Sequence, residues 1–207
     1  MEPVTGVPSQ AKRQAILTAA TEAFLHSGYA ASVDEIAAVA GVGKQTVYRH
    51  FGDKQALFLA AVAAARAARP DTPPPAAPAM DDPLAGLTAA GELILEAALS
   101  PTVAALHRLT IAEIGNHPEL SAQWSDGAEP FIDEQLADHL RRYDEAGLLS
   151  VPDPARAARQ FAYLLITEGR MATAYGTRHL TPERRHAIAA DTADLIVRAH
   201  RRSPRID

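Results

Sequence analysis

Between Ser32 and Phe51 the chain reads SVDEIAAVAGVGKQTVYRHF, and its second half carries Lys44, Gln45, Thr46, Tyr48 and His50 on one short rod. Ile36, Ala40, Val42 and Val47 supply the apolar side of that rod and of the helix before it, which leaves the polar groups facing outward. Two short helices that cross almost at right angles need a small residue where they touch and a residue tolerant of positive φ at the turn. Ala37 and Gly41 fall at those two places. The chemistry on offer is recognition of a surface by hydrogen bonds and charge, as in a helix-turn-helix that enters a duplex.

Bond-making chemistry has no comparable support. The chain has no cysteine, which excludes disulfides, thiol catalysis and thiolate metal sites. Its eight histidines include no pair backed by a carboxylate at ligand spacing, and His179 and His186 are too far apart for successive helical turns. Neither a glycine-rich phosphate loop after a strand nor a nucleophile elbow is present. No cofactor, metal site or enzymatic activity is expected.

The elements that position the rod are helical. Ile16, Ala20, Ala23 and Phe24 recur at helical spacing over about residues 10–26, with Gly28 as a stop. Ser32 and Glu35 form a capping box ahead of Ile36, Ala37 and Val39. A further helix starts at Asp53 with Leu57, Ala61, Ala64 and Ala68 on one face. Six prolines between Pro70 and Pro83 mark a linker. Beyond it, Asp82-Pro83, Ser100-Pro101, Asp153-Pro154 and Thr181-Pro182 each pair a cap with proline at the first helical position. His117-Pro118 marks a break, and Gly147 closes the segment holding Phe131, Leu136 and Leu140. With no strand alternation or repeat, the expected fold is all-α. Its parts are a flexible N-terminus (1–9), a three-helix DNA-binding domain with connecting helix (10–69), a linker (70–82), a helical C-terminal domain (83–202) and a tail (203–207).

The 207 residues carry a formal charge of -5, and 47 % of them are hydrophobic, as in a folded globular protein. Residues 1–69 hold seven basic groups against five acidic, which leaves 13 against 20 for the rest. The small positive excess thus lies with the helix-turn-helix. The longest apolar run, Ala56–Ala65, is about half the roughly 20 residues that span a bilayer. Met1–Gln10 lacks the order of a signal peptide, so a cytoplasmic protein with no membrane partner is expected.

Ile36-Ala37, Ala40-Gly41-Val42, Thr46-Val47-Tyr48, His50-Phe51 and Lys54 with Leu57 follow one another as in the TetR family of bacterial regulators, which the chain resembles over roughly residues 10–60. Phe24, Gly28 and Tyr29 also match. Gly43 and Gln45 depart from the pattern, where a serine and a glycine are frequent. The resemblance implies that Gln45 and Thr46 face base edges, Gln45 through an amide able to pair bidentately with adenine. It implies that Lys44, Tyr48, His50 and Lys54 hold phosphates, with Ser32 and its helix-start amides as a further contact. Arg49, beside Tyr48, is read as turned toward the protein body, and Phe51 as core.

Residues 106–161 are similar to the AefR-like branch of that family, through Leu109-Thr110-Ile111-Ala112-Glu113, Pro118-Glu119-Leu120, and Asp153-Pro154 leading to Ala158-Arg159-Gln160-Phe161. The helix from Pro154 to Tyr175 is apolar around most of its circumference and so needs burial on more than one side. Paired with the last helix, about Pro182–Arg201, it is expected to form a four-helix homodimer interface through Phe161, Leu165, Ile188, Leu195, Ile196 and Ala199. A cavity for a small apolar or amphipathic effector is placed at Leu106, Leu109, Trp124, Phe131, Tyr163, Met171 and Tyr175, with His107 or Glu113 as polar anchor. The reading is a dimeric repressor released from a palindromic operator by that effector. Its rivals are a ligand-independent repressor or architectural protein, and a helical binding or enzymatic protein with an unused helix-turn-helix.

Overall fold

In the computed structural model the described residues are 10–67, 81–120 and 130–202, apart from the side chains of Arg66 and of residues 130–133. The linker expected at 70–82 falls almost wholly outside them. All regular structure among the described residues is helical: a 3-10 turn at Gly28–Ala30 and the α-helices α1 (Gln10–Ser27), α2 (Val33–Val39), α3 (Lys44–Phe51), α4 (Lys54–Ala67), α5 (Pro83–Ala98), α6 (Pro101–Glu113), α7 (Pro130–Glu145), α8 (Pro154–Ala172) and α9 (Pro182–Ala199). No single helix among them is long and apolar enough to cross a membrane.

Three of the four proline-marked starts work as side-chain caps, whereas the Ser100 hydroxyl ahead of Pro101 is buried with no hydrogen-bond partner among the described residues. The Asp82 carboxylate accepts the amides of Leu84 and Ala85, both at 3.0 Å. Asp153 accepts that of Arg156 at 3.0 Å and the Thr181 hydroxyl that of Arg184 at 3.3 Å. In each case proline takes the first turn, where its missing N–H costs nothing and the cap satisfies an amide that the helix leaves free. Helix α8 ends before Tyr175 because Ala174 and Tyr175 both take positive φ, 47° and 59°. Thr173 stabilises this turn, its hydroxyl donating to the Gly169 carbonyl and accepting the Gly176 amide, each at 2.9 Å.

The chain divides into two compact units. The first comprises the described residues within Met1–Arg69 and Ala105–Ala122, the second those within Pro70–Ala104 and Gln123–Asp207. In the first, Ile16, Phe24, Ile36, Val47, Leu57 and Phe58 pack into one core. Leu106 and Leu109 of α6, together with Leu120, complete that core. The second half of α6 therefore belongs by packing to the first unit, although it lies beyond the linker in sequence.

In the second unit α9 packs against α5 and α8, and α7 against α8. Leu95, Leu140, Tyr143, Phe161, Leu165, Ile188 and Ile196 form its core. The closeness of α5 to α9 depends on Gly91, where a Cβ would lie 3.1 Å from Cβ of Ala189 and 3.3 Å from the Phe161 ring. This core corrects the expected interface set. Phe161, Leu165, Ile188 and Ile196 are at most 3 % exposed within one chain and have no surface left for a second. Leu195 and Ala199 are exposed. The physical reason is that α8 carries two apolar stripes. Ala158, Phe161, Leu165 and Ile166 face α5, α7 and α9, whereas Tyr163, Leu164 and Met171 point outward.

Truncating Phe161 to alanine should therefore cost about 3–5 kcal/mol in chemical denaturation, as for a buried aromatic elsewhere. The loss should persist at every protein concentration, since a core contact, unlike one between chains, owes nothing to mass action.

Candidate nucleic-acid interface

The interface is built from the stop between α2 and α3. Helix α2 begins at Ser32, whose hydroxyl accepts the Asp34 amide at 3.2 Å, one position earlier than a capping box requires. It ends in a Schellman turn. The Gly41 amide donates to the Ala38 carbonyl at 3.1 Å and the Val42 amide to that of Ala37 at 3.0 Å, with Gly41 at φ 66°. Gly43 follows in extended conformation and caps α3 without a side-chain bond. Only three residues separate the end of α2's capping residue, Ala40, from Lys44, so the second helix leaves at a sharp angle.

Val47 and Phe51, one turn apart, are buried and bind α3 to the first unit's core. The Arg13 guanidinium covers the Phe51 ring at 4.9 Å. With that face inward, Lys44, Gln45, Tyr48 and Arg49 are exposed, and Thr46 and His50 half-buried. Arg49 is thus turned to solvent, contrary to the sequence reading. It follows Gln45 by four residues and shares its face, a spacing that could have revealed it. Val39, at the outer end of α2, is 72 % exposed and had no expected role.

Three of the expected phosphate contacts have partners within the chain. Lys44 Nζ lies 2.8 Å from the Asp34 carboxylate, and the hydrogen bond and charge of Asp34 push the lysine's pKa up. Both groups are exposed, so the pair adds little stability and yields readily to a phosphate. The Ser32 hydroxyl is used in capping α2. Lys54, half-buried at the first turn of α4, holds its ammonium 4.8 Å from the centre of the Tyr29 ring. Asp53 caps that turn by accepting the Ala56 amide at 2.7 Å.

Tyr29 is the platform that the sequence reading left without a function. Its ring stands edge-on to Phe58 at 5.0 Å and against His117 at 4.5 Å. Burial, then the charges of Asp53 and Glu113, push its pKa up and keep the phenol neutral.

The residues expected to form an effector cavity are divided between the two units. Leu106 and Leu109 are core residues of the first unit. Tyr163, Met171 and Tyr175 are exposed on the second. Trp124 lies outside the described residues, as does the side chain of Phe131. Of the anchors, Glu113 accepts a hydrogen bond from Asn116 at 3.3 Å, and His107 is half-buried. A concavity of about 530 Å³ does open between α5 and α9, among Leu84, Thr88, Glu92, His186 and Asp191. It is a shallow groove on the second unit, with His186 Nδ1 3.1 Å from the Glu92 carboxylate.

Comparison with known proteins bears on both halves. Residues 16–61 match the model of bacterial regulatory proteins of the tetR family. Residues 85–202 match that of the AefR-like transcriptional repressor C-terminal domain. The HTH-type transcriptional activator FasR of Mycolicibacterium smegmatis is 47 % identical over 55 residues, 26 % of this chain and 25 % of that protein. The chain thus matches about a quarter of that relative's length. Among solved structures, the flavonoid-responsive regulator FrrA is 29 % identical, with a TM-score of 0.69 over 94 % of this chain and 98 % of that one. A TetR-family regulator of Mesorhizobium loti has the same fold at 24 % identity, with a TM-score of 0.70 over 94 % and 100 % of the two chains.

Because Gly41 holds the left-handed conformation that sets the angle of α3, a β-branched side chain there is strained whatever the space around it. Gly41→Val should lower thermal stability by roughly 1–2 kcal/mol, read as a fall in the melting temperature of the first unit.

Proposed function

Because this chain belongs to the TetR family of transcriptional regulators, its C-terminal half being AefR-like, we propose that it works as a homodimeric repressor. In this reading it binds a palindromic operator and is released by a small molecule. The family makes it a DNA-binding regulator and not an enzyme. The observation that carries the mechanism is the division of α3 into an anchored face, Val47 and Phe51, and a free one, Lys44, Gln45, Tyr48 and Arg49. An exposed rod of that length fits a major groove, where Gln45 and Thr46 read base edges. Lys44, Tyr48, His50 and Lys54 set the register on phosphates.

One reading head meets one half-site, and a palindrome requires two heads about 34 Å apart. The outward stripe of α8 (Tyr163, Leu164, Met171), with Tyr175 and with Leu195 of α9, supports a two-fold interface there. These side chains replace the buried ones as the contacts between chains. The AefR-like match favours repression over the activation named for FasR, which is alike over a short stretch alone. Release by an apolar or amphipathic effector draws support from the flavonoid-responsive regulator. Such a ligand acts by preferring an arrangement whose heads do not match successive grooves. The work is done in the cytoplasm, where the chromosome lies.

Selection of duplexes from random DNA by the purified protein tests this reading, and a selected site without two-fold symmetry would count against it. Gln45→Ala should cost about 1–3 kcal/mol of discrimination at one base position, visible as relaxed preference there. Lys54→Ala should weaken all sequences alike. Glutamate at both Tyr163 and Leu195 should give monomers by sedimentation and lower operator affinity on the order of a hundredfold or more. Loss of operator binding to no member of a broad panel of small molecules would favour the ligand-independent rival.

A further inference from the structure

His117 lies in the loop after α6, with its side chain 7 % exposed, in the core of the first unit. Its Nδ1 is buried and has no hydrogen-bond partner among the described residues. A buried ring nitrogen whose nearest carboxylate, that of Glu119, stands 3.6 Å away gains less than a full hydrogen bond, so filling volume alone would favour an apolar ring. What the position does supply is a set of contacts with the start of α4. The imidazole stands against Tyr29 at 4.5 Å and Phe58 at 5.2 Å. Tyr29 in turn carries the Lys54 ammonium on its face at 4.8 Å. Two residues on, Glu119 lies 3.6 Å from His117 Nδ1 and accepts a hydrogen bond from Gln55 Nε2 at 2.5 Å. Hydrogen bonds from its own backbone amide and from Gln55, with the nearby histidine, hold the Glu119 carboxyl below the usual range, so it is charged there.

Lys54 and Gln55 are consecutive residues in the first turn of α4, and one loop more than sixty residues away holds both. Lys54 is held through Tyr29 and His117, and Gln55 through Glu119. A lysine on an exposed first turn would otherwise sample many rotamers, few of which bring its ammonium onto a phosphate, so that the contact itself would be lost. Seated on a buttressed aromatic ring, its charge is placed before DNA arrives. We infer that His117 is a positioning residue for DNA binding, its ring buttressing Tyr29 so that the Lys54 ammonium is presented to a phosphate from a fixed place. The inference rests on the reading of Lys54 as a phosphate contact.

The test uses the full chain and a labelled duplex of the sequence it selects from random DNA, with affinity measured over a range of salt concentrations. Lys54→Ala should weaken binding about three- to tenfold and reduce the slope of log affinity against log salt by about one, as for one lost phosphate. His117→Ala should reproduce both changes, and adding it to Lys54→Ala should weaken binding no further. His117→Phe restores the buttress and should bind within about twofold of the unaltered protein. Tyr29→Leu keeps apolar volume while removing the ring face, and it should match Lys54→Ala in slope even if His117→Ala fails to fold. A merely structural role for His117 would lower the melting temperature without changing the slope. Losses that multiply in the double variant, or an unchanged slope in both His117→Ala and Tyr29→Leu, would overturn the inference while leaving Lys54 its role. An unchanged slope in Lys54→Ala would overturn that role and this inference together.

Discussion

The crossing of α2 and α3 is the constraint on which the rest depends. A Schellman turn at Gly41 ends α2, and the burial of Val47 and Phe51 fixes α3 about its own axis. Neither suffices alone. The turn sets the direction in which α3 leaves, and the anchors decide which of its faces meets solvent. Together they convert seven consecutive residues of mixed chemistry into an ordered display, with Lys44, Gln45, Tyr48 and Arg49 outward. The cores of α1 and α4 exist, in functional terms, to hold those two anchors.

A second consequence concerns the fixed placement of charge. The positive groups near α3 are few, and three of them have partners inside the chain: Lys44 on Asp34, Lys54 on the Tyr29 ring and Arg13 on the Phe51 ring. Exposed pairs of this kind contribute little to folding. They do restrict where a long, mobile side chain stands, which matters when the ligand is a rigid polyanion with a fixed phosphate spacing. On the proposed reading of Lys54, affinity depends on packing well behind the surface, in the aromatic group of Phe24, Tyr29, Phe58 and His117.

The second unit shows how one helix can serve two surfaces. The buried stripe of α8 closes the core with α5, α7 and α9, while Tyr163, Leu164 and Met171 stand outside it. Composition identified α8 as a helix needing cover on more than one side. It could not say which stripe went inward, because both are apolar and only the neighbours distinguish them. Phe161, Leu165, Ile188 and Ile196 accordingly make contacts within one chain, and Tyr163, Met171 and Tyr175 lie exposed on the surface of the unit.

What the sequence determined by itself was everything that acts locally. Helix starts followed from Asp82, Asp153 and Thr181 before proline, because capping is settled within a few residues. The stop at Gly41 and the inward Val47 and Phe51 followed from backbone freedom and helical period. Tertiary structure alone decided what joins residues distant along the chain. It placed Leu106, Leu109 and His117 in the core of the first unit, set Tyr29 under Lys54, and turned Arg49 outward. Periodicity tells a residue that it must be buried or exposed with its own turn, but the partner that buries it is chosen by packing across the fold, to which no local pattern has access.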